Sequence, residues 1–148
     1  MSGALAPVQR ALEVQTGRYR VVAGWRARRA QAAAFCGGLR IAASEGETLE
    51  AAVGEIDARL EAHRLALFAH RQQTGRPSPV EYREALAVLP EPLAEPALRL
   101  LKAHARLAGA PVDIDELARR AGLGRQEAWT AYRRLGRRLF TELQWSRL

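Results

Sequence analysis

The stretch DELARRAGLGRQEAWTAYRRLGRRL, residues 115–139, holds seven arginines and one tryptophan around a Gly-Leu-Gly turn. A helix-turn-helix needs a small residue where its helices cross, a glycine in the turn, and apolar residues at fixed offsets. Ala118 stands four residues before Gly122, with Leu117 and Ala121 beside it. Leu123 follows the glycine and Ala128 falls six residues after it. Ala131, Tyr132, Leu135 and Leu139 extend the apolar stripe at helical spacing. Asp113 is a good cap for a short helix over 114–121, and Gly122 stands where a left-handed residue ends it. A second helix is expected over about 125–140.

That pattern sorts the polar residues. Arg125, Gln126, Trp129, Thr130 and Arg133 fall on the outward face of the second helix. Arg and Gln at such positions make bidentate contacts to guanine and adenine edges in a major groove. Arg119, Arg120, Arg134, Arg137 and Arg138 fall nearer a phosphate backbone. Trp129 has two readings: contact with a pyrimidine methyl, or packing against the N-terminal half or a partner subunit. For the motif as a whole, the alternative is a three-helix core with solvated arginines, serving protein interaction.

Upstream, Ser78, Pro79 and Glu81 form a capping box with proline at the first helical position, opening a helix through Val88. PEPLAEP is a proline-rich elbow, and Pro96 opens a helix to about Leu107 with Leu98, Leu101 and Ala105 inward. The break TGRPSPV marks a boundary. Before it, Thr48 caps a long helix whose inward stripe is Leu49, Ala52, Val53, Ile56, Leu60, His63 and Leu67. RYRVVAGWR alternates, with Tyr19, Val21, Ala23 and Trp25 on one face and Arg18, Arg20 and Arg26 on the other. Gly37-Gly38 supplies a hairpin turn that places Ala34 and Cys36 with Leu39 and Ile41, and Phe35 with Arg40. The expected class is α+β: a three-stranded antiparallel sheet with a long helix, then an all-α helix-turn-helix module. The expected segments are an arm at 1–17 with a short helical turn near Val8–Val14, a βββα domain at 18–73, a linker at 74–80 and the helical domain at 81–148.

Composition narrows the function. The formal charge is +7, and of 23 basic residues only Lys102 is a lysine. Arginine suits planar recognition of phosphate and guanine, although a GC-rich genome also enriches Arg and Ala. Placement separates the two. Residues 1–48 carry seven basic and three acidic residues and 113–148 carry eight and five, whereas 49–73 carry three and four. A lone Cys36 supports no disulfide framework, and His63, His70 and His104 share no ligand spacing with it. Neither Ser44 with His63 nor Cys36 with His70 has a spacing that calls for a nucleophile pair. Glu45, Glu47, Asp113, Asp115 and Glu116 flank helix starts, where acidic groups favourably meet the dipole. No nucleotide or hydrolase fingerprint occurs. The expectation is a cytoplasmic bacterial protein without enzymatic activity, metal, cofactor, small-molecule substrate or membrane segment.

Residues from about 78 to 143 resemble a small helical module found ahead of HNH endonuclease domains in bacterial restriction-like proteins. The resemblance rests on EYREAL, LLKAH, ELARRAGL and AYRRLGRRL. It implies a helix-turn-helix-like DNA-binding domain, tied in some such proteins to modified bases. GRQEAW stands where that module would have an aromatic-rich helix start. The N-terminal half is similar to AP2-like and integrase-type sheets, which implies a second DNA contact through Arg18, Arg20, Arg26 and Arg40. Its GETLEAA is also similar to HicB-type antitoxins, which implies a protein partner. The resulting expectation is sequence-specific binding of double-stranded DNA by a small regulator or accessory protein of a phage, mobile element or defence system, with a homodimer or a protein partner as the assembly. The competing expectation is a non-enzymatic adaptor or antitoxin-like partner protein.

Overall fold

A computed structural model describes the backbone of residues 9–145 and the side chains of 12–143. The chain divides into two compact units, Met1–Val88 and Leu89–Leu148. The first holds strands β1 (Gln9–Thr16), β2 (Tyr19–Arg26), β3 (Arg29–Cys36) and β4 (Leu39–Gly46), then helices α1 (Leu49–Thr74) and α2 (Pro79–Ala87). The second holds α3 (Glu95–Ala105), α4 (Ile114–Ala121) and α5 (Arg125–Trp145).

The class is α+β, but the sheet has four strands, in the antiparallel order β1-β2-β3-β4, rather than the expected three. The additional strand replaces part of the expected arm. Thr16 pairs with Tyr19, Val14 with Val21 and Leu12 with Ala23. The ladder to β2 thus overrides the weak local helical pattern over residues 9–14, while Val8 lies outside the described residues. The expected linker at 74–80 also differs from the observed division. The chain turns there, but α2 belongs to the first unit, which ends at Val88.

One face of the sheet is built from small side chains. Val21, Ala23, Ala30, Ala32, Ala34 and Cys36 are buried with Tyr19 against Ala52, Ile56 and Leu60 of α1. Alanines keep the sheet surface low, so the helix comes close. Ser44 donates to the Ala52 carbonyl at 2.6 Å, which satisfies a buried hydroxyl. Trp25, expected inward, is instead exposed at the end of its strand. The β3–β4 register shifts after Ala34: Phe35 pairs with Arg40 and Cys36 with Leu39, but Ala34 pairs with Ala42 rather than lying beside Ile41. Ile41 is the extra residue of a bulge. The Gly37-Gly38 turn forms as expected. Gly37 has φ +59°, and a Cβ there would lie 2.0 Å from the Ala87 carbonyl oxygen. Glycine is therefore required both by its backbone angle and by the approach of α2.

Two buried carboxylates hold α2 in place. Glu81 closes the capping box with Ser78. It also accepts from Arg71 Nε at 2.8 and 3.0 Å, tying the last turn of α1 to the first of α2. Glu84 is fully buried. Its Oε2 accepts from the Tyr19 hydroxyl at 2.7 Å, and Arg18 Nη1 lies 3.6 Å away. Its Oε1 meets His63 Nε2 in a short contact. Cys36 Sγ donates to the Glu84 carbonyl at 3.6 Å. Burial, then the bond to Glu84 and its negative charge, push the Tyr19 phenol far above its usual range. It stays a neutral donor. Arg18 is therefore part of the core and not of the outer sheet face, contrary to expectation.

The second unit is a three-helix core of Leu100, Ala103, Leu117, Ala118, Ala121 and Ala128, with Leu123, Ala131 and Tyr132 partly buried against it. Asp113 caps α4 by accepting from Glu116 N at 2.8 Å. α3 presents Ala97, Leu100 and Ala103 inward, whereas Ala105, expected inward, is exposed and Leu98 and Leu101 are half-buried.

Removing one partner of a buried charge cluster leaves the others uncompensated. Glu84→Ala should cost about 3–5 kcal/mol in urea unfolding, and Glu84→Gln clearly less. A Glu84→Ala protein as stable as the parent would show that the cluster does not hold α2. The raised Tyr19 phenol stabilises the fold fully below the ordinary tyrosine value, and that contribution is lost as pH rises above it. Melting temperature should fall above about pH 10, and Tyr19→Phe should flatten that fall.

Candidate nucleic-acid interface

α4 ends in Gly122, whose φ of +70° is left-handed and whose N–H bonds back to Ala118 and Arg119 carbonyls. Leu123 N donates to the Ala118 carbonyl at 2.8 Å, the longer closing bond of a Schellman turn. α5 begins at Arg125, and Ala128 N donates to Gly124 O at 3.0 Å. Ala118, Ala121 and Ala128 are all buried where α4 and α5 meet. Small residues let the two helices approach closely. Arg99 Nη2 donates to the Gly122 carbonyl at 3.3 Å, so α3 braces the turn. His104 Nδ1 and the Tyr132 hydroxyl, 2.8 Å apart, join α3 to α5. Burial raises the Tyr132 phenol above its usual value, so it too stays neutral.

At 100° per residue, Gln126, Thr130, Arg133 and Arg137 fall within an arc of about 60°, opposite the buried Ala128 and Leu135. All four are exposed. Arg133, Arg134 and Arg137 have no ion pair or hydrogen-bond partner among the described residues for their side chains. The other arginines of the motif are engaged. Arg119 and Arg120 both pair with Glu116. Arg125, a candidate base reader, has its Nε 3.1 Å from Asp115 Oδ1. Arg138, a candidate phosphate contact, donates to the Glu91 carbonyl at 2.8 Å and braces the segment before α3. Trp129 is 53 % exposed, and Phe140, which the sequence reading did not single out, is 58 % exposed on the same flank. On the opposite flank, Gln126, Thr130 and Arg134 border an apolar cleft of about 300 Å³ floored by Leu93, Pro96 and Ala97. That cleft depends on the helix after the proline elbow, so no single stretch of sequence announces it.

The first unit carries a second basic surface. The outward residues of β2–β4, including Arg20, Arg26, Phe35 and Arg40, line a concavity of about 630 Å³ that Glu55 and Arg59 of α1 close at the β4 edge. Arg20 pairs with Glu13 at 3.2 Å and lies over the Phe35 ring at 5.2 Å. Arg59 pairs with Glu55 and donates to the Ala43 carbonyl. Arg26 and Arg40 have no partner of either kind among the described residues. Sequence reasoning missed Arg28 and Arg29, which extend this face at the β2–β3 turn. Ala27 and Arg28 both adopt positive φ there, at 47° and 69°, without the glycine that would have announced a turn.

Among the described residues, no group of three or more His, Cys, Asp or Glu could hold a metal ion, and no helix is long and apolar enough to cross a membrane. No protein-family profile, curated protein or solved structure matches the chain.

Gly122→Ala should destabilise the second unit by about 1–2 kcal/mol, because an alanine must hold the left-handed angle and displace Arg99. Hydrogen exchange at the Leu123 amide should accelerate accordingly. Unchanged exchange would mean that the turn does not depend on glycine.

Proposed function

We propose that the second unit binds double-stranded DNA, with α5 entering the major groove. The observation that carries this reading is the pairing of a glycine-closed α4–α5 turn with an outward arc of Gln126, Thr130, Arg133 and Arg137. A helix of 10–12 Å diameter fits a groove of about 12 Å. Gln126 and Arg133 have the donor and acceptor groups to read base edges, with Trp129 and Thr130 beside them. Arg134 and Arg137 take phosphates. Arg119, Arg120 and Arg125 join by exchanging their acid partners for phosphate, which costs little because exposed ion pairs are worth only about 0–1 kcal/mol. The role is that of a small regulator or accessory DNA-binding protein in the bacterial cytoplasm, and a two-fold site would be met by two copies.

A second reading, an adaptor that docks protein on α5, draws on the exposure of Trp129 and Phe140. Salt dependence separates the two. Fluorescence anisotropy on random-sequence duplex should show affinity falling steeply between 50 and 200 mM salt, by roughly three decades or more for six phosphate contacts. Arg137→Ala should reduce the slope of log affinity against log salt by about one. Arg133→Ala should weaken binding as well. No duplex binding at low salt overturns the groove-reading model and leaves the adaptor.

A further inference from the structure

We propose that the open face of the four-stranded sheet is a separate binding site for single-stranded nucleic acid, with Phe35 and Arg20 as its stacking platform. This inference does not rest on the duplex reading of α5.

The strand register lays the face out in rows. Arg20, Phe35 and Arg40 lie side by side across β2, β3 and β4. Val22, Ala33 and Ala43 form the next row, and Gly24, Gln31 and Glu45 the one after. The middle of the face is thus a low floor of small side chains. One end carries the Phe35 ring with the Arg20 guanidinium over it and Arg40 paired in register on β4. The other end carries Arg26, and beyond it the strained turn that projects Arg28.

Three features select the ligand. First, Arg26 and Arg40 are exposed without acid partners, whereas Glu13 is paired with Arg20 and Glu45 with Arg29. The charge left over on this face is positive, so a polyanion complements it. Second, the concavity spans three strands, about 10 Å across at the spacing of paired strands. A single strand fits that width, whereas a whole duplex rests only on the rim. Third, Phe35 is half-buried and its ring is already covered by the planar Arg20 group. A base stacking on this pair gains both aromatic and cation contacts without sequence preference. From the Phe35 row to Arg26 is six residues along β2, about 20 Å, enough for a short run of extended nucleotides.

The test is fluorescence anisotropy of the full chain on labelled dT12, with rU12 as a parallel arm that decides between DNA and RNA as the source of the strand. The parent should bind dT12 or rU12 at 50 mM salt and weaken as salt rises. Phe35→Leu should lose roughly tenfold in affinity, the effect of removing one stacked base. Arg40→Ala, at an exposed position where folding is not at stake, should lower the salt slope by about one. Arg133→Ala should leave single-strand binding unchanged while weakening duplex binding, so the two surfaces fail separately. The proposal is overturned if neither oligomer binds, if Phe35→Leu and Arg40→Ala bind as the parent does, or if Arg133→Ala removes single-strand binding to the same extent.

Discussion

The Glu84 carboxylate has no access to water, and much of the first unit is arranged by the need to satisfy it. An uncompensated buried charge costs several kcal/mol, so donors must converge on it. They come from four places in the chain: Arg18 in the first hairpin turn, Tyr19 on β2, His63 on α1, and Cys36 on β3 to the backbone carbonyl of the same residue. A purely apolar helix face can slide or rotate against an alanine-rich sheet at little cost. A carboxylate with fixed donors cannot. The cluster therefore determines where α2 lies more than how stable the unit is. It also explains why the unit extends to Val88, well past the apparent break at 74–80. Glu81 repeats the device one turn earlier, with Arg71 as its donor.

What was legible in the sequence is what local chemistry decides. Thr48, Ser78 and Asp113 cap helices because their side chains reach an amide three residues on. Gly122 and Gly37 stand where the backbone needs positive φ. The inward stripe of α1 and the small-residue crossing of α4 and α5 follow from periodicity alone. What was not legible depends on distant partners. β1 has only Leu12 and Val14 as large apolar residues, and both remain more than a third exposed, since the strand lies at the sheet edge. Its pairing with β2 makes it a strand. The Ala27-Arg28 turn hides because neither residue is glycine or asparagine. In EYREAL, Glu84 reads as a solvated helix residue, and nothing local reveals that three donors surround it. The rotation of α3 was missed for the same reason, since both candidate faces contain leucine and alanine.

The seven arginines around the turn fall into two physical groups. Arg119, Arg120 and Arg125 lie against the acidic first turn of α4, and Arg138 against a carbonyl. Arg133, Arg134 and Arg137 lie beyond the reach of those acids. In the first group, three guanidinium charges are partly offset by the two carboxylates of Asp115 and Glu116. The second leaves uncompensated charge on one side of α5. Because the pairs in the first group are exposed, the division is a preference that a phosphate can revise, and net charge counts for more than individual contacts at such a surface.

Genomic composition alone would enrich arginine without regard to position, and the placement here is not indifferent. The long helix α1 carries four acidic and three basic residues, with Arg59 and Arg64 each paired to a glutamate on the same helix. Among the described residues, Arg133, Arg134 and Arg137 stand without acid partners on one side of α5, and Arg26 and Arg40 at the two ends of the open sheet face, while Arg76, Arg83, Arg99 and Arg106 lack one elsewhere in the chain. A guanidinium that serves only to keep a surface wet gains from a nearby carboxylate, as Arg59 does. Leaving several without one, close to each other, raises mutual repulsion and is tolerated only because solvent screens it. That residual repulsion is what an incoming polyanion relieves, and it is the physical reason to read these two surfaces as binding faces rather than as by-products of codon usage.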